Sequence, residues 1–245
     1  MAATKRHGEL RLIRSLVALI LFGMAFGYIE AAVVVYLRSI YVPLRNATFS
    51  TVAHNDLFPL LAVEHLQAAG PEYVSMLGAE LGRELATLVM LAAAGLAIGR
   101  NFREWLAGFM IAFGLWDIFY YVFLKLLIDW PESLWTWDIL FLLPVPWIGP
   151  VIAPVLVSVS MIAAGVLVLW RESSGRPIQV GWLNGANIVL GGLVVVVAFC
   201  WDFRHTSAGG WPNPFNWPLF ALGEVMAVTS FVHALSRRHE GLSQA

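Results

Sequence analysis

The sequence predicts an all-α protein, a single polytopic bundle of about six transmembrane helices with both termini cytoplasmic. Three observations predict it. Hydrophobic residues fill 59% of the 245 positions and charged residues only 13%, where a soluble domain carries roughly a quarter. The apolar residues come in runs that reach the ~20 positions needed to cross a bilayer. Basic residues gather between alternate runs, as the positive-inside rule requires.

The spans read as roughly 14–42, 75–99, 104–128, 148–170, 181–201 and 217–236, within one transmembrane domain covering 1–245. Lys5, Arg6, Arg11 and Arg14 precede the first apolar run, which is how a signal peptide begins. That run continues past Glu30 to about Tyr41, too long for the apolar core of such a peptide, so it reads as the first span. The stretches 85–99, 139–170 and 177–201 contain no Asp, Glu, Lys or Arg. Within the second of them, Pro144, Pro146 and Pro150 predict a broken or interfacial segment before the fourth span, because proline removes a helical N–H and clashes with the preceding turn.

An N-terminus on the inside puts Lys5, Arg6, Arg11, Arg14, Arg100 and Arg103 on the inner side, with Arg171, Arg176, Arg237 and Arg238. These are ten of the fifteen basic residues, and an odd number of spans would break the pattern. Tryptophans fall at both boundaries, Trp130, Trp135, Trp147 and Trp217 outside against Trp105, Trp170 and Trp182 inside, where their amphipathic rings settle at headgroup depth. The outer loops are the long ones. Residues 43–74 include LFPLLAVEHL, which predicts a short helix on the membrane surface, and 129–147 and 202–216 are rich in Trp and Pro. The expected location is a plasma or inner membrane, and the expected partners are the lipid bilayer and a membrane protein or a second copy of the chain. A net charge of −1 argues against nucleic acid. Cys200 is the only cysteine, so no internal disulfide or thiolate metal cage can form.

Chemistry has to come from the carboxylates inside the spans: Glu30, Glu80, Glu84, Asp117 and Glu224. Each costs about 2.5–3.5 kcal/mol near a span's centre, which places them in the bundle interior. Only Arg83 and Lys125 lie in the spans as cationic partners, with Arg38 near the outer end of the first. The acidic surplus must be protonated, hydrogen-bonded, hydrated or met by a cation. At 1.5 Å of rise per residue, all five fall in the middle-to-outer zone.

Glu80, Arg83, Glu84 and Thr87 share one helical face. They read either as ligands or proton carriers with Arg83 keeping one ionised, or as an internal salt bridge. Gly78 and Gly82 nearby predict a close helix neighbour. Glu30 follows Gly23 and Gly27, another small-residue face, and can reach Arg83 as a structural pair. Asp117, Tyr121 and Lys125 form a stripe that reads as a proton path, or as a snorkelling lysine above an aspartate bonded to tyrosine hydroxyls. A WD pair recurs at Trp116-Asp117, Trp137-Asp138 and Trp201-Asp202, at unequal intervals. An inverted repeat of three spans fits the count, but the fourth span has no counterpart to Glu30.

Glu30, Glu80, Glu84 and Asp117, completed by a histidine of the outer loops (His54, His65 or His205), would suit a divalent metal as cofactor. The Glu-x-x-His pairs of di-iron bundles are absent. No Walker loop, dinucleotide fingerprint or nucleophile elbow occurs. Three functions fit: proton- or cation-coupled transport through an outward-facing acidic site, an enzyme acting on a lipid or apolar substrate at the outer leaflet, and a non-catalytic subunit of a membrane complex.

Overall fold

A computed structural model describes residues 2–49 and 57–236, with side chains from Gly8 onward. His54, Arg237 and Arg238 fall outside the described residues. Six helices are long and apolar enough to cross a membrane, the fold of an integral membrane protein. They are α1 (Ala2–Thr48), α3 (Pro71–Ile98), α4 (Phe102–Ile128), α5 (Ile152–Ser173), α6 (Trp182–Cys200) and α8 (Trp217–Ser236). Two short helices, α2 (Val63–Ala69) and α7 (Phe203–Ser207), and a hairpin of β1 (Trp137–Phe141) and β2 (Trp147–Pro150) complete the order. Large apolar side chains on the perimeter stay uncovered, Leu21, Leu96, Leu126 and Val189 among them. In water this surface would drive aggregation, whereas lipid tails are as apolar as leucine.

Local chemistry explains the helix ends. Asn101 caps α4, its side chain accepting from the Glu104 N–H at 3.0 Å. Asp129 closes α4 in a left-handed conformation (φ 53°), which Asp tolerates better than most residues. Pro71 opens α3 at a first-turn position where its missing N–H costs nothing. α1 runs on past the expected boundary near 42 to Thr48, with Pro43 inside it. A hydropathy window finds the apolar stretch and misses the polar turns that continue the same helix beyond it.

The proline-rich segment before α5 is broken, as expected, and takes the form of a hairpin rather than a loop. β1 and β2 pair antiparallel, with Trp137 opposite Pro150 and Asp138 opposite Gly149. Phe141 and Trp147 pack on each other at 5.6 Å between ring centroids, Phe141 lies against Trp116 of α4, and Trp147 stacks on Phe199 of α6. The hairpin thus wedges into one end of the bundle between its two parts.

Those parts are unequal. α4 is the central helix, with α1, α3 and α5 all packed on it, whereas α6 and α8 form a separate pair. A four-plus-two arrangement is not the packing of two matched three-helix halves. Gly23 and Gly27 do serve close packing: a Cβ on Gly27 would lie 2.9 Å from both the Phe119 Cβ and the Trp116 carbonyl oxygen. Gly78 and Gly82 do not. Nothing among the described residues lies within 4 Å of a Cβ at either position, so this small-residue face of α3 meets none of the described helices there. α1 and α3 flank α4 and scarcely touch each other. The cleft between them is where the charged residues meet.

The start of α1, the α3–α4 turn and the end of α5 come together at one end of the bundle, through Arg11–Glu104, Arg100–Glu104 and Arg103–Glu172 contacts. We refer to it as the terminal end. The hairpin, α2 and α7 lie at the opposite, loop end.

Candidate functional site

An open cavity of about 460 Å³ fills the cleft at the loop end. α1 supplies one wall through Val34, Leu37 and Tyr41, and α3 another through Leu77 and Leu81. Segment 57–62 and α2 lie over it, with Leu57, Leu60 and Leu66 facing in, while α4 and β1 form its back. Glu30, Glu80, Arg83, Glu84, Asp117 and Tyr121 all line this one cavity. Helical spacing explains the convergence. α3 presents Glu80, Arg83 and Glu84 from consecutive turns of one face, and α4 presents Asp117 and Tyr121 four residues apart.

Of the expected site residues, only Glu224 lies elsewhere. It sits on α8 and accepts from the Ser160 hydroxyl of α5 at 3.2 Å. Equal depth in the sequence did not mean the same place in the bundle, because α8 pairs with α6 and not with α4.

Arg83 holds two carboxylates at once. Its Nη1 donates to Glu30 at 2.5 Å, and its Nε and Nη2 donate to Glu80 at 2.9 and 2.5 Å. Thr87 accepts from the same Nη1 at 3.5 Å. The bridge between α1 and α3 is therefore the structural pair that the spacing allowed. It uses up the arginine.

The hydrogen-bond donors to the remaining acids of the cavity are neutral groups. Both Glu84 oxygens accept from the backbone N–H of Leu142 at 2.9 Å, just beyond β1. Asp117 accepts from the Ser158 hydroxyl of α5 at 2.8 Å. The Tyr121 hydroxyl donates to Asp138 at 2.9 Å. Asp138 is almost fully buried, and burial pushes its carboxyl up to about 6, against the Arg38 charge, the Tyr121 hydroxyl and the Ile139 N–H, which pull it down. The expected Asp117–Tyr121–Lys125 stripe does not form a chain. Lys125 turns away to Asp129 at 2.7 Å and to the Pro131 carbonyl at 3.1 Å, the snorkelling alternative.

Arg38 differs from Arg83. Its guanidinium carbon lies 4.0 Å from the Trp130 ring centroid. Its Nε and Nη2 are buried and have no hydrogen-bond partner. A cation–π contact contributes about 0.5–2 kcal/mol, whereas each buried donor left unsatisfied costs about 1–3 kcal/mol, more when charged. The aromatic stack alone does not offset that cost.

The metal expectation finds no ligand set here. Arg83 occupies Glu30 and Glu80, Leu142 occupies Glu84, and among the described residues no three His, Cys, Asp or Glu side chains gather to hold an ion. His65 is spent on its own helix, its Nδ1 accepting from the Ala62 N–H at 3.1 Å.

Sequence reading missed Asp138 and the placement of Arg38 at the cavity. The second WD pair was the available signal for Asp138, since it stands just before a long charge-free stretch. It also missed the buried Glu104 at the terminal end, which accepts from Arg11 and Arg100. Comparison with protein-family models, with curated proteins and with solved structures gave no match.

Proposed function

We propose that this integral membrane protein takes a lipid-like or other apolar substrate into the cavity between α1 and α3 and acts on it by proton transfer, with Asp117 and Glu84 as the acid–base groups. The observation that carries this reading is the convergence of six polar side chains on one cavity with apolar walls. Ligand sites have that build, and roughly 300–1,000 Å³ is their usual size. A carboxylate bonded only to a hydroxyl or a backbone N–H is free to give or take a proton, which one clamped by arginine is not. The separation of α1 from α3 offers a lateral entrance from the bilayer. The positive-inside reading places that entrance in the outer leaflet.

Transport is the second reading, supported by the same carboxylates. It has to breach an apolar layer beneath the cavity, where Leu19, Phe26, Leu91, Ile111, Trp116 and Leu169 pack into one cluster. A purely structural subunit accounts for the Arg83 bridge but not for a cavity joining the other acids.

The test is a lipid inventory. Protein purified from its producing membranes should carry an amphiphile that Leu81→Trp, which fills the cavity, releases and that Glu224→Gln retains. Vesicles made from the same membrane lipids should change in composition with the wild type and not with Asp117→Asn. Empty wild-type protein, together with identical vesicle profiles for wild type and Asp117→Asn, would refute the proposal.

A further inference from the structure

Of the arginines that line the cavity, Arg38 and Arg83 are in opposite states. Arg83 has its donors bonded to Glu30, Glu80 and Thr87. Arg38 has two buried nitrogens, Nε and Nη2, with no hydrogen-bond partner among the described residues. Trp130 holds its guanidinium in place from one side. A planar fork of donors, stacked on an indole and with two buried nitrogens lacking an acceptor, is the arrangement that a carboxylate or phosphate completes through two parallel charge-assisted bonds, even with Asp138 and Tyr120 near enough to act on its charge.

The charges around the cavity also say where such a group can sit. Glu30, Glu80, Glu84 and Asp117 would repel an anion, and Asp138, whose charge also acts on Arg38, lines the back of the same cavity. Arg38 stands two helical turns beyond Glu30 toward the loop end, with Arg45 two further turns on, also lining the cavity. An anion is therefore favoured at the loop-end rim and disfavoured at the floor. Between them run the apolar side chains of Val34, Leu37, Leu77 and Leu81.

We infer that the substrate is an anionic amphiphile whose carboxylate or phosphate binds Arg38 at the rim, while its apolar chain runs inward between α1 and α3. This rests on the amphiphile reading of the cavity and adds the chemistry of the head group. Arg38 is then a binding and specificity residue, and Trp130 positions it.

The experiment uses full-length protein in phosphatidylcholine nanodiscs and three probes of equal chain length: hexadecanoate, hexadecyl phosphate and hexadecanol. The wild type should bind at least one of the two anions about tenfold or more tighter than the alcohol. The stronger of the two identifies the head group as carboxylate or phosphate. Arg38→Gln should bring all three within about twofold of one another. Arg38→Lys, which keeps the charge and loses the fork, should retain part of the preference. Unchanged alcohol binding in Arg38→Gln shows that the cavity is intact in that variant. If the alcohol binds the wild type as well as the anions do, the inference falls and the amphiphile site stands. If Arg38→Gln keeps the preference, the anion binds elsewhere and the inference falls. If no probe binds the wild type, both fall.

Discussion

Two clusters of buried charge lie at opposite ends of the bundle, and they are built differently. At the terminal end Glu104 is 3% exposed and fully engaged. It accepts from Arg11 at 2.8 Å and from Arg100 through both side chain and backbone, at 2.9 and 3.0 Å. Arg11 also donates to the Ile98 carbonyl at 2.7 Å, so the cluster ties α1 to the α3–α4 turn. At the loop end, Arg83 closes one part of the cluster and leaves the rest open. Glu84, Asp117 and Asp138 accept from neutral donors, and the buried Nε and Nη2 of Arg38 have no hydrogen-bond partner among the described residues. A charge cluster that exists to hold helices together satisfies its members. The other leaves a cation and several acids facing a shared cavity, which is what the proposed ligand site calls for.

Removing the central cation of one cluster and the central anion of the other is the most severe test of that contrast. Arg83→Gln leaves Glu30 and Glu80 facing each other in a buried setting and should cost about 3–5 kcal/mol. It should also weaken occupancy of the cavity. Glu104→Gln should cost about 2–3 kcal/mol, the scale for lost hydrogen bonds to charged groups, because Arg11 and Arg100 still reach water. Occupancy should not change. Unfolding in mixed micelles, read alongside bound-lipid content, measures both effects. Equal loss of bound lipid in the two variants would erase the distinction between the ends.

A smaller effect comes from Asp138. Burial raises its carboxyl to about 6 in the folded protein, so between about pH 4 and about pH 6 the folded state holds a proton that the unfolded chain has released. That proton's contribution to stability is fully present below this window and is lost as pH rises through it. The wild-type melting temperature should carry a component that declines from pH 4 to 6, and Asp138→Asn should remove it. An unaltered pH profile in the variant would show that Asp138 keeps its ordinary acidity.

The smallest effect is expected at Lys125. Its ion pair with Asp129 is exposed on both sides, and such pairs contribute about 0–1 kcal/mol. Lys125→Gln should leave both stability and cavity occupancy near wild type. A large loss of function would restore the proton path along α4 and extend the open cluster beyond the cavity.

Much of this was legible in the sequence. Six spans follow from composition and run length, because a bilayer admits few ways to bury backbone polar groups. Glu80, Arg83 and Glu84 could be assigned to one face because the helical period is fixed. The reach of Glu30 to Arg83 was likewise open to spacing alone. Whether Gly78 and Gly82 met a neighbour was not, since Gly23 and Gly27 show the same pattern with the opposite outcome. A motif describes a helix's own surface and says nothing about which helix faces it.

The sequence by itself therefore determined the membrane-spanning helices, the acidic surplus, and the local faces on which charges stand. These depend on periodicity and hydropathy, which are properties of neighbouring residues. Only the tertiary structure decided that α1 and α3 part around a cavity, that Glu224 lies outside it, that β1 brings Asp138 in, and that two buried nitrogens of Arg38 find no hydrogen-bond partner among the described residues. Those depend on how helices far apart in the chain choose their partners, and that choice rests on side-chain fit across interfaces no local pattern encodes.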